Sequence, residues 1–449
     1  MAKRETWATR VGFLVAAIGS AVGLGNLWQF PFKTAGNGGA AFVAFYLIAV
    51  LLIGFPAMLA EFVLGRRTHR NAVDAFTELG HRQWRVLGAF AVVTGFWILS
   101  YYNVVGGWVL RYIVGSAQGA YFDAPAEYFG AVSAGPEAIL AQLVFLGIVV
   151  GIVALGIEDG IEKATKVMVP SIVLLMGALA VWAVTLAGSG EGYAYFLTPS
   201  LDAMVANAGT AIPFAVGQAF FTLSLGMAIM ITYSSYIGED DNLLVDGGVI
   251  VVVNTLIGIL AGLVVFPILF ANGIDPALEG GASALFVAVA SGFGGLPLGE
   301  VIGVIFFGVV ALAALSSAIS LMEVTVAWAN DNYDVSRPVL AVGIGVALFV
   351  LGLPSAWNVS YLTWFDNIAY SLLLPLSVLL MVLFVGWVLA GDAVAELREG
   401  TDGVETFGPI WLWGLRLVVP LLVLVTLGLG VYELFLAPEP TFFAPFSGS

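Results

Sequence analysis

Two glycines and an asparagine, Gly23-Leu24-Gly25-Asn26, interrupt an apolar stretch that begins just after Arg10 and ends near Lys33. Both residue types are poor helix formers. A further apolar stretch contains Phe220-Phe-Thr-Leu-Ser-Leu-Gly226-Met227, which again places hydroxyls and a glycine at its middle. Irregular backbone inside a membrane persists only where it lines a cavity or binds something. Carbonyls released from a helix can hold a cation, and the start of a half-helix can hold a carboxylate. A lone G-x-G more often serves close helix packing. Here Asn26, the following Pro31 and the other interruption favour a binding role. Other chemistries are poorly supplied. There is no cysteine, which excludes disulfides, thiol catalysis and thiolate metal sites. The two histidines, His69 and His81, both lie in a polar loop, which argues against a buried histidine site.

The elements that position these residues are membrane helices. Hydrophobic residues make up 60% of 449 and charged residues only 10%, against about 25% charged in soluble chains. A spanning helix needs about 20 apolar residues. Eleven such segments are predicted, near 11–33, 38–64, 86–116, 137–156, 164–187, 209–236, 246–271, 298–329, 338–353, 361–391 and 409–436, the ninth of them short. Basic residues gather in loops on one side: Lys3, Arg4 and Arg10, then Arg66 to Arg85, Lys163 and Lys166, Arg337, and Arg398. The opposite side has little beyond Lys33 and Arg111. The positive-inside rule puts the N-terminus in the cytoplasm and, with eleven spans, the C-terminus outside the plasma membrane. Met1-Ala-Lys-Arg-Glu5 is polar and the following apolar run is too long for a cleaved leader. The net charge of −15 suggests strongly hydrated loops, as in Glu239-Asp240-Asp241 and the acids from Glu396 to Glu405. High-salt adaptation and ordinary solvated loops both fit that pattern. Acidic loops argue against nucleic acid as a partner.

Interrupted helices at spans 1 and 6 are the first members of spans 1–5 and 6–10. Such a pair points to an inverted-repeat transporter with a site at the membrane midplane. The expected organisation is one transmembrane domain over 1–449. Its repeats fall at approximately 10–187 and 209–391, with an extra span at 409–436.

Several stretches carry a family resemblance: Trp7-Ala-Thr-Arg-Val-Gly12, Ala21-Val-Gly-Leu-Gly-Asn-Leu-Trp-Gln-Phe-Pro31, Asn37-Gly-Gly39, Glu61-Phe-Val-Leu-Gly-Arg66, Tyr101-Tyr102, Gln218 to Gly226, Asn254, and Ala313-Ala-Leu-Ser-Ser317. Together the sequence resembles the neurotransmitter:sodium symporter family, of the prokaryotic eleven-span amino-acid transporter type. The resemblance implies an all-α integral membrane protein with the LeuT-type 5+5 inverted repeat. It also implies alternating access and two sodium ions. For one ion it implies as ligands the Ala21 carbonyl, the Asn26 amide, Thr222, the Asn254 amide and the substrate's carboxylate. For the other it implies the Gly19, Val22 and Ala313 carbonyls with the Ser316 and Ser317 hydroxyls. All are oxygen donors, as a hard cation requires. No acid serves the first site, so a substrate carboxylate would complete it and couple the two.

For the substrate, the resemblance implies a site formed by Ala21, Gly23, Leu24, Gly25 and Thr222 around the breaks. Tyr102 matches the tyrosine that binds the carboxylate. Ile98, Phe221, Ser224, Met227, Ser317 and Leu321 line the side-chain pocket. Members that carry monoamines have Asp in place of Gly23, so a hydrophobic or aromatic α-amino acid is expected. Gating falls to Arg4 with Asp331, and to Trp7, Ser235 and Tyr236 on the cytoplasmic side. Phe221 and Tyr102 close the outer side. Glu61 is expected to accept hydrogen bonds from unwound backbone. Two departures stand out. Gln29 replaces the family's usual arginine and Ala369 its partner acid, which removes the outer salt bridge. Gly258 replaces the residue that distinguishes chloride-dependent members, whereas Tyr46, Gln218, Thr222 and Asn254 match that site; chloride dependence stays open. The alternatives are a small ω-amino acid or osmolyte as substrate, or a sensor or channel on the same scaffold. No continuous polar stripe favours a channel, and no nucleophile–base set favours an enzyme. Oligomeric state is not legible.

Overall fold

The computed structural model describes residues 6–238, 241–275, 285–400, 404–438, 440–443 and 445. Among the described residues the chain is helical throughout, with no strand. All eleven expected spans are present. Among the described residues nine helices are long and apolar enough to cross a membrane: Ala40–Thr68 (span 2), Arg82–Gln118 (3), Pro136–Ala154 (4), Ile157–Ala183 (5), Leu243–Ala271 (7), Gly299–Asn332 (8), Arg337–Trp357 (9), Val359–Leu389 (10) and Thr406–Leu436 (11). Span 1 is broken into Arg10–Ala21 and Gly25–Gly36, bent by 43°. Span 6 enters as the inner part of Leu201–Thr222, unwinds, and resumes as Ile229–Ser234. Span 9 is not short: it runs the full 21 residues of Arg337–Trp357, with Pro354 inside its last turn.

Burial sorts the spans into two shells. The richest apolar windows of spans 3 and 8 are 72% and 78% buried, whereas those of spans 4, 5, 9 and 11 are 33–39% buried. Spans 3 and 8 therefore pack inside, and the others present Leu and Val to lipid. Close approach in the inner shell depends on small residues. Gly106 and Gly107 of span 3 face Phe145 and the backbone at Ala141 of span 4, where any Cβ would collide. The broken spans 1 and 6 sit within this shell, and almost every residue of both breaks is buried.

One acid expected to be solvated, Glu396, is structural instead. Glu396 is 5% exposed, and its carboxylate lies 2.6 Å from Nε of the buried Arg66. Arg66 also donates to the Asp241 carbonyl at 2.6 Å. A buried ion pair is costly to half-remove, so these two residues act as ties between span 2 and the segment after span 10.

Candidate functional site

The break in span 1 releases a defined set of carbonyls. In a continuous helix the amides of Gly23 and Leu24 would bond to the carbonyls of Gly19 and Ser20. Instead Gly23 donates to the Asn26 side chain at 3.4 Å, and Leu24 to the Tyr102 hydroxyl at 3.2 Å. The amides of Asn26 and Leu27 both turn to the Gly23 carbonyl, at 3.1 and 3.2 Å. Val22, the last residue before the gap, is extended (φ −82°, ψ 93°). The Ser20 carbonyl is taken up by the hydroxyls of Ser224 at 3.0 Å and Ser317 at 2.9 Å. Gly19, Ala21 and Val22 are thus the neighbours whose carbonyls are available to a cation.

Span 6 breaks by a different device. Ser224, Gly226 and Ala228 alternate in the left-handed region, with φ of 55°, 77° and 61°. For the two non-glycine residues this costs roughly 1–2 kcal/mol each, and such strain gathers at functional sites. Glu61 stabilises the turn from span 2. Its Oε1 accepts from the Gly226 amide at 2.7 Å, with the amides of Met230 and Ile231 also bearing on it. This is the backbone-holding role anticipated for Glu61. Replacing Glu61 with Leu is expected to cost about 1–3 kcal/mol by leaving the Gly226 amide without an acceptor. Gln, which keeps an acceptor, should lose less. Thermal unfolding of the purified variants checks the order; equal stability of Leu and wild type would refute it.

Of the oxygens nominated for the first sodium, those of Ala21 and Asn254 converge with the Thr222 carbonyl, whereas Asn26 turns its oxygen to the Gly23 amide and presents its nitrogen. The Oδ1 position of Asn254 lies 3.0 Å from the Ala21 carbonyl, 3.1 Å from that of Thr222, and 2.9 Å from Nδ2 of Asn26. With oxygen there, it accepts from Asn26 but faces the Ala21 and Thr222 carbonyls, a crowding of acceptors that a cation resolves. With the amide reversed, nitrogen donates to the same carbonyls, and no ion is needed provided the Asn26 amide, 2.9 Å away, reverses as well. The residues therefore fit a small hard cation and also have an ion-free arrangement. No group of three or more acidic or histidine side chains forms a metal site among the described residues. At the other sodium position the fit is partial. The Ser316 hydroxyl reaches the Ala313 carbonyl at 3.0 Å and the Val22 carbonyl at 3.5 Å. Ser317 instead points its hydroxyl at the Ser20 carbonyl and into the cavity between the breaks.

That cavity is lined by Ala21, Gly23, Gly25, Ile98, Tyr102, Phe221, Ser224, Met227, Ser317 and Leu321, all nominated from sequence. It adds Ser20 and Ile229, which were not. Leu24 and Thr222 do not line it: Leu24 contributes its amide to Tyr102, and Thr222 turns its hydroxyl to Tyr46 at 3.3 Å. The space left to the centre of a water molecule is about 20 Å³, room for water and no more. The cavity is closed on both sides. At the end nearer the N-terminus Trp7 is buried; its indole donates to the Tyr233 carbonyl at 3.0 Å and meets the Tyr233 ring edge-on. Tyr236 donates to Glu323 at 3.0 Å, and the Ser235 hydroxyl to the Thr232 carbonyl at 2.6 Å. Asp331 accepts from Asn71 at 2.9 Å. Its expected partner Arg4 lies outside the described residues.

Several contacts at this end were not foreseen. Glu162, at the start of span 5, accepts from the Ala8 amide at 2.9 Å and the Thr9 hydroxyl at 3.1 Å, and Arg10 meets Asp246 of span 7 at 2.5 Å. At the opposite end Gln29 is buried, 3% exposed, with no partner for its Oε1 among the described residues. Near the possible anion position, Gln218 gives its amide to the Gly25 carbonyl at 2.8 Å. A Cβ on Gly258 would meet only ordinary contacts at 3.6 Å, from Asn26 and Phe30.

Comparison with known proteins agrees with this geometry. The profile of the Sodium:neurotransmitter symporter family matches residues 4–123 and 133–441. The uncharacterized sodium-dependent transporter YhdH of Bacillus subtilis is 35% identical over 94% of this chain and 97% of its own length. The sodium-dependent neutral amino acid transporter B(0)AT2 of Bos taurus is 29% identical over 59% of this chain and 41% of its own. The crystal structure of MhsT in complex with L-phenylalanine superposes with a TM-score of 0.87 at 39% identity, covering 95% of this chain and all of that one. A multi-pass helical chain with paired breaks, matched along nearly its whole length, belongs to the sodium:neurotransmitter symporter family and is a sodium-dependent transporter.

Proposed function

We propose that the chain is a symporter that uses sodium to import a hydrophobic α-amino acid, aromatic ones included. The observation that carries this reading is the composition of the closed cavity. Ile98, Phe221, Met227, Ile229 and Leu321 make an apolar end; the Tyr102 hydroxyl and the backbone at Gly23 and Gly25 make a polar one. No charged side chain lines it. An α-carboxylate would lie at the break in span 1 and complete the ligand shell of the first sodium at Ala21, Asn26, Thr222 and Asn254. A further sodium is assigned to Gly19, Val22, Ala313 and Ser316, with Ser317 turning in to join it. The likeness to MhsT, solved with L-phenylalanine, and to a neutral amino acid transporter supports the substrate class. Spans 1 and 6, one from each of the repeats 10–187 and 209–391, would move about this site, with the N-terminus in the cytoplasm. Entry requires spans 1 and 6 to part from spans 3 and 10, since the closed cavity holds only water.

Uptake by proteoliposomes tests the proposal. An inward sodium gradient should drive accumulation of L-phenylalanine and L-leucine above that of glycine or γ-aminobutyrate, and replacing sodium by potassium should abolish it. Accumulation of none of these, or preference for the ω-amino acid, would overturn the assignment.

A further inference from the structure

Span 11 carries one arginine inside its apolar length. Arg416 stands ten residues into Thr406–Leu436, about 15 Å along the helix. Its neighbours Leu417, Val418 and Leu421 are exposed and apolar, so this part of the span faces lipid. An arginine at such a depth is costly unless its head reaches polar partners. The protein supplies one: Nε donates to the Gly386 carbonyl of span 10 at 2.7 Å. The guanidinium carbon lies 5.2 Å from the ring centres of both Trp387 and Trp413, each more than half exposed. Among the described residues no carboxylate pairs with Arg416, and nothing receives its two terminal amino groups. The more deeply buried Arg66 and Arg337 differ, since each meets a carboxylate, of Glu396 and Glu323.

The backbone is shaped around this contact. Span 10 has a wide π-type turn at Phe384–Leu389, and span 11 has one at Gly414–Val418. Such turns often mark functional sites. The two meet directly: a Cβ on Gly386 would lie 3.4 Å from the Leu415 carbonyl and Cβ. Trp387 stands two residues before the end of span 10, and tryptophans gather at the level of the lipid headgroups. On the orientation proposed above that end is cytoplasmic. Guanidinium presents a planar fork of donors that grips phosphate oxygens two at a time. Indole faces hold the fork without neutralising it. We propose that Arg416, Trp387 and Trp413 form a site for an anionic phospholipid of the inner leaflet. The lipid's phosphate takes the free edge of the guanidinium, and its chains lie along the exposed face of span 11. A zwitterionic lipid fits less well, because among the described residues no carboxylate pairs with Arg416 that could receive an ammonium instead. The site is on the outer wall of the bundle and does not depend on which solute is carried.

Native mass spectrometry of the full chain in detergent tests the site, with dioleoyl phosphatidylglycerol and dioleoyl phosphatidylcholine as probes that share the same chains. The first phosphatidylglycerol should bind about tenfold more tightly than the first phosphatidylcholine, as a charge-assisted bond predicts. Arg416→Gln should remove that preference and leave phosphatidylcholine binding unchanged. Arg416→Lys keeps the charge without the fork, and Trp387→Leu keeps the arginine without one ring. Each should fold and weaken phosphatidylglycerol binding by about threefold. Equal affinity of the two lipids for the unaltered chain overturns the site, as does an undiminished preference in Arg416→Gln. Should Arg416→Gln fail to fold, an undiminished preference in both of the other variants overturns it equally. Inorganic phosphate at millimolar concentration should leave the bound lipid in place; displacement by it would show a free-anion site and overturn the lipid assignment.

Discussion

Gly23→Asp is expected to abolish binding of a carboxylate substrate, lowering sodium-dependent L-phenylalanine affinity by roughly 100-fold or more. Two effects act together. A Cβ at Gly23 would collide with the Ser317 hydroxyl and lie 3.0 Å from the Tyr102 hydroxyl and 3.1 Å from Ser317 Cβ. The carboxylate beyond it would then occupy the polar end of the cavity, where the substrate's own carboxylate is placed. Two like charges sharing a water-poor site cannot both remain ionised without a large penalty. Gly23→Ala separates the terms. It keeps the crowding but adds no charge, and Ser317 can rotate away at the expense of its bond to the Ser20 carbonyl, so a loss nearer tenfold is expected. Equilibrium binding of labelled L-phenylalanine in sodium buffer measures both. Unchanged affinity in Gly23→Asp would mean that the carboxylate does not lie at the span 1 break.

Gly23 can be singled out from sequence because glycine and asparagine in an apolar run are conspicuous. The same holds for the spans, whose apolar length is the constraint that lipid imposes. Span 6 is only half legible. Gly226 marks it, but Ser224 and Ala228 also adopt positive φ, and nothing in a serine or an alanine announces that. Their conformation is imposed from outside, by Glu61 on the Gly226 amide and by Ser20 on the Ser224 hydroxyl. Ser20 and Ile229 escape sequence reasoning for a related reason: each flanks a break, and which flanking side chain faces the cavity depends on how the two half-helices are set. The tethers of the N-terminal segment, Glu162 and Asp246, are hidden because an acid near a span end reads as loop charge. Lys33 counts in the sequence only as a positive charge on the sparse side. Its ring contacts, Phe214 and Tyr370, lie far away in sequence and are brought to it by the packing of spans 6 and 10.

The largest effect on energy coupling is expected at Asn254. The cage formed by Ala21, Asn26, Thr222 and Asn254 consists of neutral groups. A cation in such a cage lacks a formal counter-charge, and low dielectric makes that lack expensive. On the proposed reading a substrate carboxylate at the adjacent break supplies it, so each ligand would tighten the other by the same factor, typically about 5- to 150-fold. Asn254→Asp installs a permanent negative charge at the same position and at nearly the same volume. Sodium should then bind about tenfold more tightly without substrate. Addition of L-phenylalanine should improve sodium affinity by no more than about twofold, because the counter-charge is already present. Sodium-driven accumulation should fall sharply even though sodium is bound, since occupancy no longer reports the substrate. Asn254→Leu provides the opposite limit: it removes an oxygen ligand, and sodium affinity should collapse with or without substrate. Sodium titrations of the purified protein, run with and without L-phenylalanine, read all of these quantities. Full wild-type coupling in Asn254→Asp would show that the substrate carboxylate is not the missing charge, and that sodium and amino acid communicate through the movement of spans 1 and 6 alone.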